Sequence, residues 1–159
     1  MEIIHAETIN LSSPYIVTQV DDYSVSFVTE HGIRYLVGFT PDIFIFDENG
    51  YEFYIINESE PVGQDIKIFN TIVAIIENLF FNSNNSAMVY ICSPQNQLQQ
   101  IRSRLFSIWF HKARVSDTYT LKTYHSFDET DYYYGLIIRK DNPEHDILIK
   151  MFFDFFSDF

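Results

Sequence analysis

The sequence predicts an α+β domain on a mostly antiparallel sheet, with elements in the order β-β-β-β(-β)-α-β-α-β-β-α. Three observations predict it. The first third carries short apolar runs of period two, separated by turn residues. Residues 65–82 carry apolar residues at i, i+3, i+4 and i+7. Two later segments open on a capping residue followed by proline and continue with helical spacing.

Residues 15–20 and 23–30 read as strands joined by Asp21-Asp22, and Tyr23 to Val28 alternates strictly. His31-Gly32 turns the chain into a third strand over 33–39. Pro41 interrupts, and residues 42–47, with Ile43, Phe44, Ile45 and Phe46, read as a further strand. Glu48-Asn49-Gly50 signals a hairpin to residues 51–57. Residues 58–65 form a polar loop with Pro61 and Gly63. Ile66, Phe69, Ile72, Val73, Ile76, Leu79 and Phe80 form the predicted inner stripe of the first long helix.

Residues 87–92 make a short apolar run, read as a buried strand. Ser93-Pro94 opens a second helix with inner face Leu98, Ile101, Leu105, Ile108 and Trp109. Arg104, His111 and Lys112 lie toward its end, where cations suit the helix dipole. Residues 118–124 and 132–140 are strands around the loop 126–131. Asn142-Pro143-Glu144 opens a last helix with Leu148, Met151, Phe152, Phe155, Phe156 and Phe159 on one face. That face needs a partner surface, in this chain or in a second subunit.

The 159 residues suit a single domain spanning 1–159. A chain of this length buries roughly 70% of its unfolded surface, so it needs no disulfide or metal to fold. Cys92 is the one cysteine, which excludes an internal disulfide and fits a reducing, cytoplasmic compartment. The first thirteen residues carry Glu2 and Glu7 and no basic start, so no signal peptide is read, and no apolar run is long enough to span a membrane. The matches to the glycosylation pattern at Asn57 and Asn84 are then chance.

The net charge of −12 is uneven: residues 1–66 carry twelve of the 22 acids and one of the ten bases, Arg34. Nucleic acid and anionic membranes are disfavoured as partners, because both need basic surface. A basic protein partner is permitted. Acids on solvent faces would equally keep an aromatic-rich domain soluble.

No residue group stands out as catalytic or metal-binding. Cys92 precedes a helix start, where thiols are activated, but it also ends an apolar strand, and a buried inert cysteine is commoner. His5, His31, His111, His125 and His145 show no zinc spacing. Asp128, Glu129 and Asp131, and likewise Asp47-Glu48-Asn49-Gly50, lack the ligand alternation of a calcium loop. Arg102 and Arg104 point to different faces of the second helix and are candidates for contact with an anion or a partner. With Lys112, Arg114 and Lys122 they make the one locally basic stretch, which complements the acidic sheet. Tyr132-Tyr133-Tyr134 looks like a stacking platform but has acidic neighbours, so sheet packing is expected.

The element order, with residues 23–140, resembles a GNAT-type N-acetyltransferase. The stretch Pro61-Val62-Gly63-Gln64-Asp65-Ile66 falls where that family's Gly-rich turn binds the pyrophosphate of acetyl-CoA through backbone N–H groups. Tyr90-Ile91-Cys92, Asn96 and residues 106–110 are similar to its next strand, Asn and aromatic helix end. The resemblance implies a GNAT-like topology and cofactor contacts at Gly63, Gln64 and Asn96. One glycine of the loop remains, the Arg/Gln-x-x-Gly-x-Gly/Ala pattern is missing, and Asp65 would repel phosphate. Tyr90-Ile91-Cys92-Ser93, Arg102, Phe106, Trp109, Phe110 and Asn142-Pro143 also resemble a family of small uncharacterised proteins from Bacteroidota. The expectation is a non-enzymatic acidic interaction module (inhibitor, immunity-type or regulatory) with no cofactor. The alternatives are a degenerate or divergent GNAT-like acyltransferase, and a structural homodimer that buries the C-terminal helix.

Overall fold

The structure, a computed structural model, describes residues 2–42, 44–46, 48, 50–57, 65–92, 115–126 and 132–157. Their elements are α1 (Ala6–Ile9), β1 (Thr18–Asp21), β2 (Ser24–Val28), β3 (Arg34–Pro41), β4 (Gly50–Asn57), α2 (Ile66–Asn82), β5 (Ala87–Cys92), α3 (Val115–Thr118), β6 (Tyr119–His125), β7 (Tyr133–Arg139) and α4 (His145–Ser157). Seven strands hydrogen-bond in the order β1-β2-β3-β4-β5-β7-β6. The pairs β1/β2, β2/β3, β5/β7 and β6/β7 are antiparallel. The fold is α+β, as the sequence predicts. The predicted helix over 93–112 lies outside the described residues. Two compact units divide the chain: residues 1–40 with 53–84, and residues 41–52 with 85–159.

In the first unit, Val25 faces Val37 and Phe27 faces Tyr35 across β2 and β3. These four side chains are buried, as are Ala74, Ile75 and Leu79 of α2. The β2–β3 turn is closed by Gly32 at φ 77, where a side chain would be strained. The Thr29 N–H donates to the Ile33 carbonyl at 2.9 Å. The Asp21 carboxylate holds the preceding turn by accepting the Tyr23 N–H and the Ser24 hydroxyl, both at 2.8 Å.

The buried face of α2 differs from the predicted stripe. Thr71, Ala74, Ile75, Asn78 and Leu79 are buried with Ile76 and Phe80, whereas Ile66 is 61% exposed. The cause is the N-terminal segment, which the apolar pattern did not count. Asn78 Oδ1 accepts the His5 N–H at 2.9 Å, and the Asn82 amide donates to the Ile3 carbonyl at 3.1 Å. Buried Ile4, just before α1, and Ile9, its last residue, anchor this segment. At one turn, α1 is too short to leave a periodic signal.

In the second unit, residue 42 and residues 44–46 are not a strand, contrary to the expectation for 42–47. Asp42 captures the local donors instead: its carboxylate accepts the N–H groups of Phe44, Ile45 and Phe46 at 3.0–3.2 Å. An aspartate serving three successive amides folds a turn that competes with extended backbone. It leaves Phe46 buried and Phe44 78% exposed. The core of this unit is Phe46 with Ala87 and Val89 of β5, Leu136 and Ile138 of β7, and Leu148, Phe152 and Phe156 of α4. The C-terminal helix face therefore finds its partner surface within the same unit. Asn142 opens the turn into α4, with its side chain accepting the Glu144 N–H at 2.9 Å. Among the described residues no helix is long and apolar enough to cross a membrane.

Candidate functional site

The first unit carries an open groove of about 690 Å³ whose lining includes Tyr15, Ile16, Val28, Glu30, Arg34 and Lys67. Two of its lining residues, Tyr15 and Phe27, belong to a stack of three rings completed by Tyr35. Tyr15 and Phe27 have centroids 5.8 Å apart, and Phe27 and Tyr35 5.2 Å apart, each pair within 13° of parallel. The Tyr15 backbone N–H donates to the buried Thr71 hydroxyl of α2 at 3.3 Å, which fixes that ring against the helix.

A chain of polar contacts closes over this ring. The Tyr15 hydroxyl donates to the Asp65 carboxylate. Asp65 is the N-cap of α2 and accepts the Lys67 N–H at 2.8 Å. The Lys67 ammonium pairs with the Glu30 carboxylate and lies 5.9 Å from the Tyr15 ring centroid. The Tyr15 hydrogen bond holds the Asp65 carboxyl below its ordinary range, and Asp65 in turn raises the Tyr15 phenol. The Glu30 hydrogen bond raises the Lys67 ammonium. Asp65 is thus kept ionised and Tyr15 protonated. These groups order the groove; they are not poised to exchange protons near neutrality.

A second polar arrangement lies in the other unit. The Thr120 hydroxyl and His145 Nε2 are 2.8 Å apart, and His145 Nδ1 is 2.8 Å from Asp146. A carboxylate only accepts, so in the neutral ring Nδ1 carries the proton and the Thr120 hydroxyl donates to Nε2. The order resembles a nucleophile–base–carboxylate relay. The Asp146 side chain, however, is 98% exposed. A carboxylate in bulk water polarises an imidazole weakly, because the high dielectric screens its field. This contact fastens α4 to β6.

Gly63, Gln64, Asn96, Arg102 and Arg104 all lie outside the described residues, as do His111, the cluster Asp128, Glu129 and Asp131, and the side chain of Cys92. His5 pairs with Glu2 at 2.7 Å. His125 stacks on Tyr133, with centroids 4.0 Å apart at 7°. The Tyr132 and Tyr134 rings are 6.0 Å apart, and Tyr134 packs on Phe156 at 4.2 Å, so the tyrosine run packs within its unit as expected. Among the described residues no group of three or more His, Cys, Asp or Glu side chains could hold a metal ion.

Sequence reasoning missed Tyr15, Glu30 and Lys67. They are separated by 15 and 37 positions, and only folding joins them. Asp65 left a signal: an aspartate directly before an apolar helical run is an N-cap. No curated protein and no solved structure matches the chain. The model of a family of unknown function, DUF6169, matches residues 64–154, more than half of the chain, and the protein belongs to that family.

Proposed function

We propose that the chain is a non-enzymatic interaction module, of the inhibitor, immunity or regulatory kind, that receives a basic protein partner in the groove of its first unit. The observation that carries this reading is the joining of exposed apolar surface and charged side chains in one place. Ile16 is 79% exposed and Val28 56% exposed, and both line the groove with Glu30, Arg34 and Lys67. Exposed apolar side chains with charged neighbours are the ordinary make-up of a binding surface. The acidity of residues 1–66 would steer a basic partner toward it. The single cysteine suits a cytoplasmic setting.

The test is affinity capture with the wild-type chain and with an Ile16→Ser/Val28→Ser variant, each at low and at high salt. The reading expects a partner of high isoelectric point, held by the wild type at low salt and lost by the variant. A partner retained equally by both proteins sinks the groove as the binding face.

Against a GNAT-like acyltransferase stands Asp65, whose carboxylate occupies the α2 N-terminus where a pyrophosphate would need open N–H groups. A thermal shift with millimolar acetyl-CoA would restore that reading. Against a dimer built on the C-terminal helix stands the packing of Leu148, Phe152 and Phe156 in their own unit. A dimeric mass that falls to monomer on substitution of exposed residues of α4 would restore it.

A further inference from the structure

We propose that residues 3–10, with the side chain of Gln19, are a built-in guard that occupies the outer edge of β1 and keeps a second copy of this chain from adding a strand there. β1 stands first in the strand order, at a sheet edge. The backbone groups along such an edge are a template for another strand. Val17, just before β1, gives its N–H to Asn10 Oδ1 at 2.8 Å, and its carbonyl accepts the Asn10 amide at 3.0 Å. Both groups therefore point away from β2, and the alternation of an antiparallel ladder turns those of Gln19 the same way. The Gln19 amide lies along this edge. Its Nε2 donates to the carbonyls of Asp21 at 2.7 Å and Ile4 at 3.0 Å, and its Oε1 accepts the Ala6 N–H at 2.9 Å. The Ile3 N–H donates to the Asp22 carbonyl at 2.9 Å.

This cover does the bonding of a strand without being one, because side-chain amides stand in for a ladder. It is held in place by buried Ile4 and Ile9, and by Asn78, which accepts the His5 N–H. Charge does not protect β1. Thr18, Gln19 and Val20 are uncharged, and the Asp21 carboxylate is turned back onto the Tyr23 N–H and the Ser24 hydroxyl. The opposite edge, β6, is treated differently, with exposed Lys122 at its centre, a charge that discourages pairing. Uncovered, β1 suits another copy of itself. Antiparallel pairing about Gln19 sets Thr18 of one copy opposite Val20 of the other and keeps the two Asp21 carboxylates at opposite ends. It would also cover Val20, now 50% exposed.

The test is sedimentation velocity over a concentration series, at high salt to screen the net charge of −12. The proteins are the wild type, Gln19→Ala, Asn10→Ala/Gln19→Ala, Asn10→Ala/Gln19→Pro and Phe153→Ala. Thermal melts set a temperature at which all are folded. The Ala/Ala variant loses the cover and should self-associate about tenfold more tightly than the wild type, and Gln19→Ala alone about threefold. The Ala/Pro variant loses the same cover, but its proline lacks the outward N–H and sets a ring where a second strand would lie. It should associate no more than the wild type. Phe153→Ala, which loosens the other unit, should not associate either. The proposal is overturned if the Ala/Ala variant and Gln19→Ala associate no more than the wild type. It is equally overturned if the Ala/Pro variant associates as tightly as Ala/Ala, since association would then follow from loosening and not from the edge.

Discussion

The Tyr15 hydroxyl donates a hydrogen bond to the carboxylate of Asp65, fifty residues away in the sequence, and so ties the segment before β1 to the N-terminus of α2. The bond requires an ionised Asp65 and a protonated Tyr15. Asp65 has a folded pKa below its unfolded value, so its contribution is present above about pH 4 and is lost as pH falls through the folded value. Tyr15 is shifted up, so its contribution is present below about pH 10 and is lost as pH rises through the folded value. Tyr15→Phe removes the bond at every pH and should cost about 1 kcal/mol near neutrality. Thermal melts of both proteins from about pH 3 to pH 11 should show the widest gap in the middle and convergence at both ends. A gap independent of pH contradicts this.

Gly135 leaves the room that the Tyr90 ring fills. The two residues are opposite each other in β7 and β5, and a Cβ on Gly135 would overlap the Tyr90 ring. Gly135→Ala should cost about 1–3 kcal/mol by overpacking. In a Tyr90→Val background the same methyl group should cost much less. Urea denaturation of the four proteins in the cycle measures the coupling; additive costs would show that the ring and the glycine are independent.

Phe152 is fully buried at the centre of the second unit's core. Phe152→Ala should cost about 3–5 kcal/mol, and the partly buried neighbour Phe153→Ala clearly less. Equal losses in urea denaturation would mean that α4 presents a different face from the one described.

The Asn10 side chain accepts the Val17 N–H at 2.8 Å and donates to the Val17 carbonyl at 3.0 Å, so it closes the backbone just before β1. Asn10→Ala should lower stability by about 1–2 kcal/mol, two bonds' worth, and raise the hydrogen-exchange rate of the Val17 amide. An unchanged rate would show that the side chain does not protect it.

Local chemistry decided what was legible in the sequence. β2 and β3 were readable because Asp21 and Gly32 mark their turns and their apolar residues alternate. α2 was readable because its period holds over 17 residues. Its buried face was not, because Asn78 and Thr71 receive backbone donors from distant segments, and polar residues with such partners look like solvent-facing ones. Residues 42–47 read as a strand because Ile43 to Phe46 are apolar, while the turn depends on one carboxylate reaching three amides. Beside the groove, Asp65 alone was visible, as a cap. Tyr15, Glu30 and Lys67 each sit in an unremarkable context and acquire meaning together. Gly135 gave no hint of its role, since the ring that needs it lies 45 residues earlier.

The most direct test of the central claim, that the groove of the first unit is the binding face, is hydrogen–deuterium exchange of the chain with and without its captured partner. The account predicts slowed exchange in peptides covering residues 14–18 and 26–30 and the first turn of α2, with residues 133–157 unchanged. Protection confined to residues 115–157, with the groove segments exchanging as in the chain alone, would contradict it.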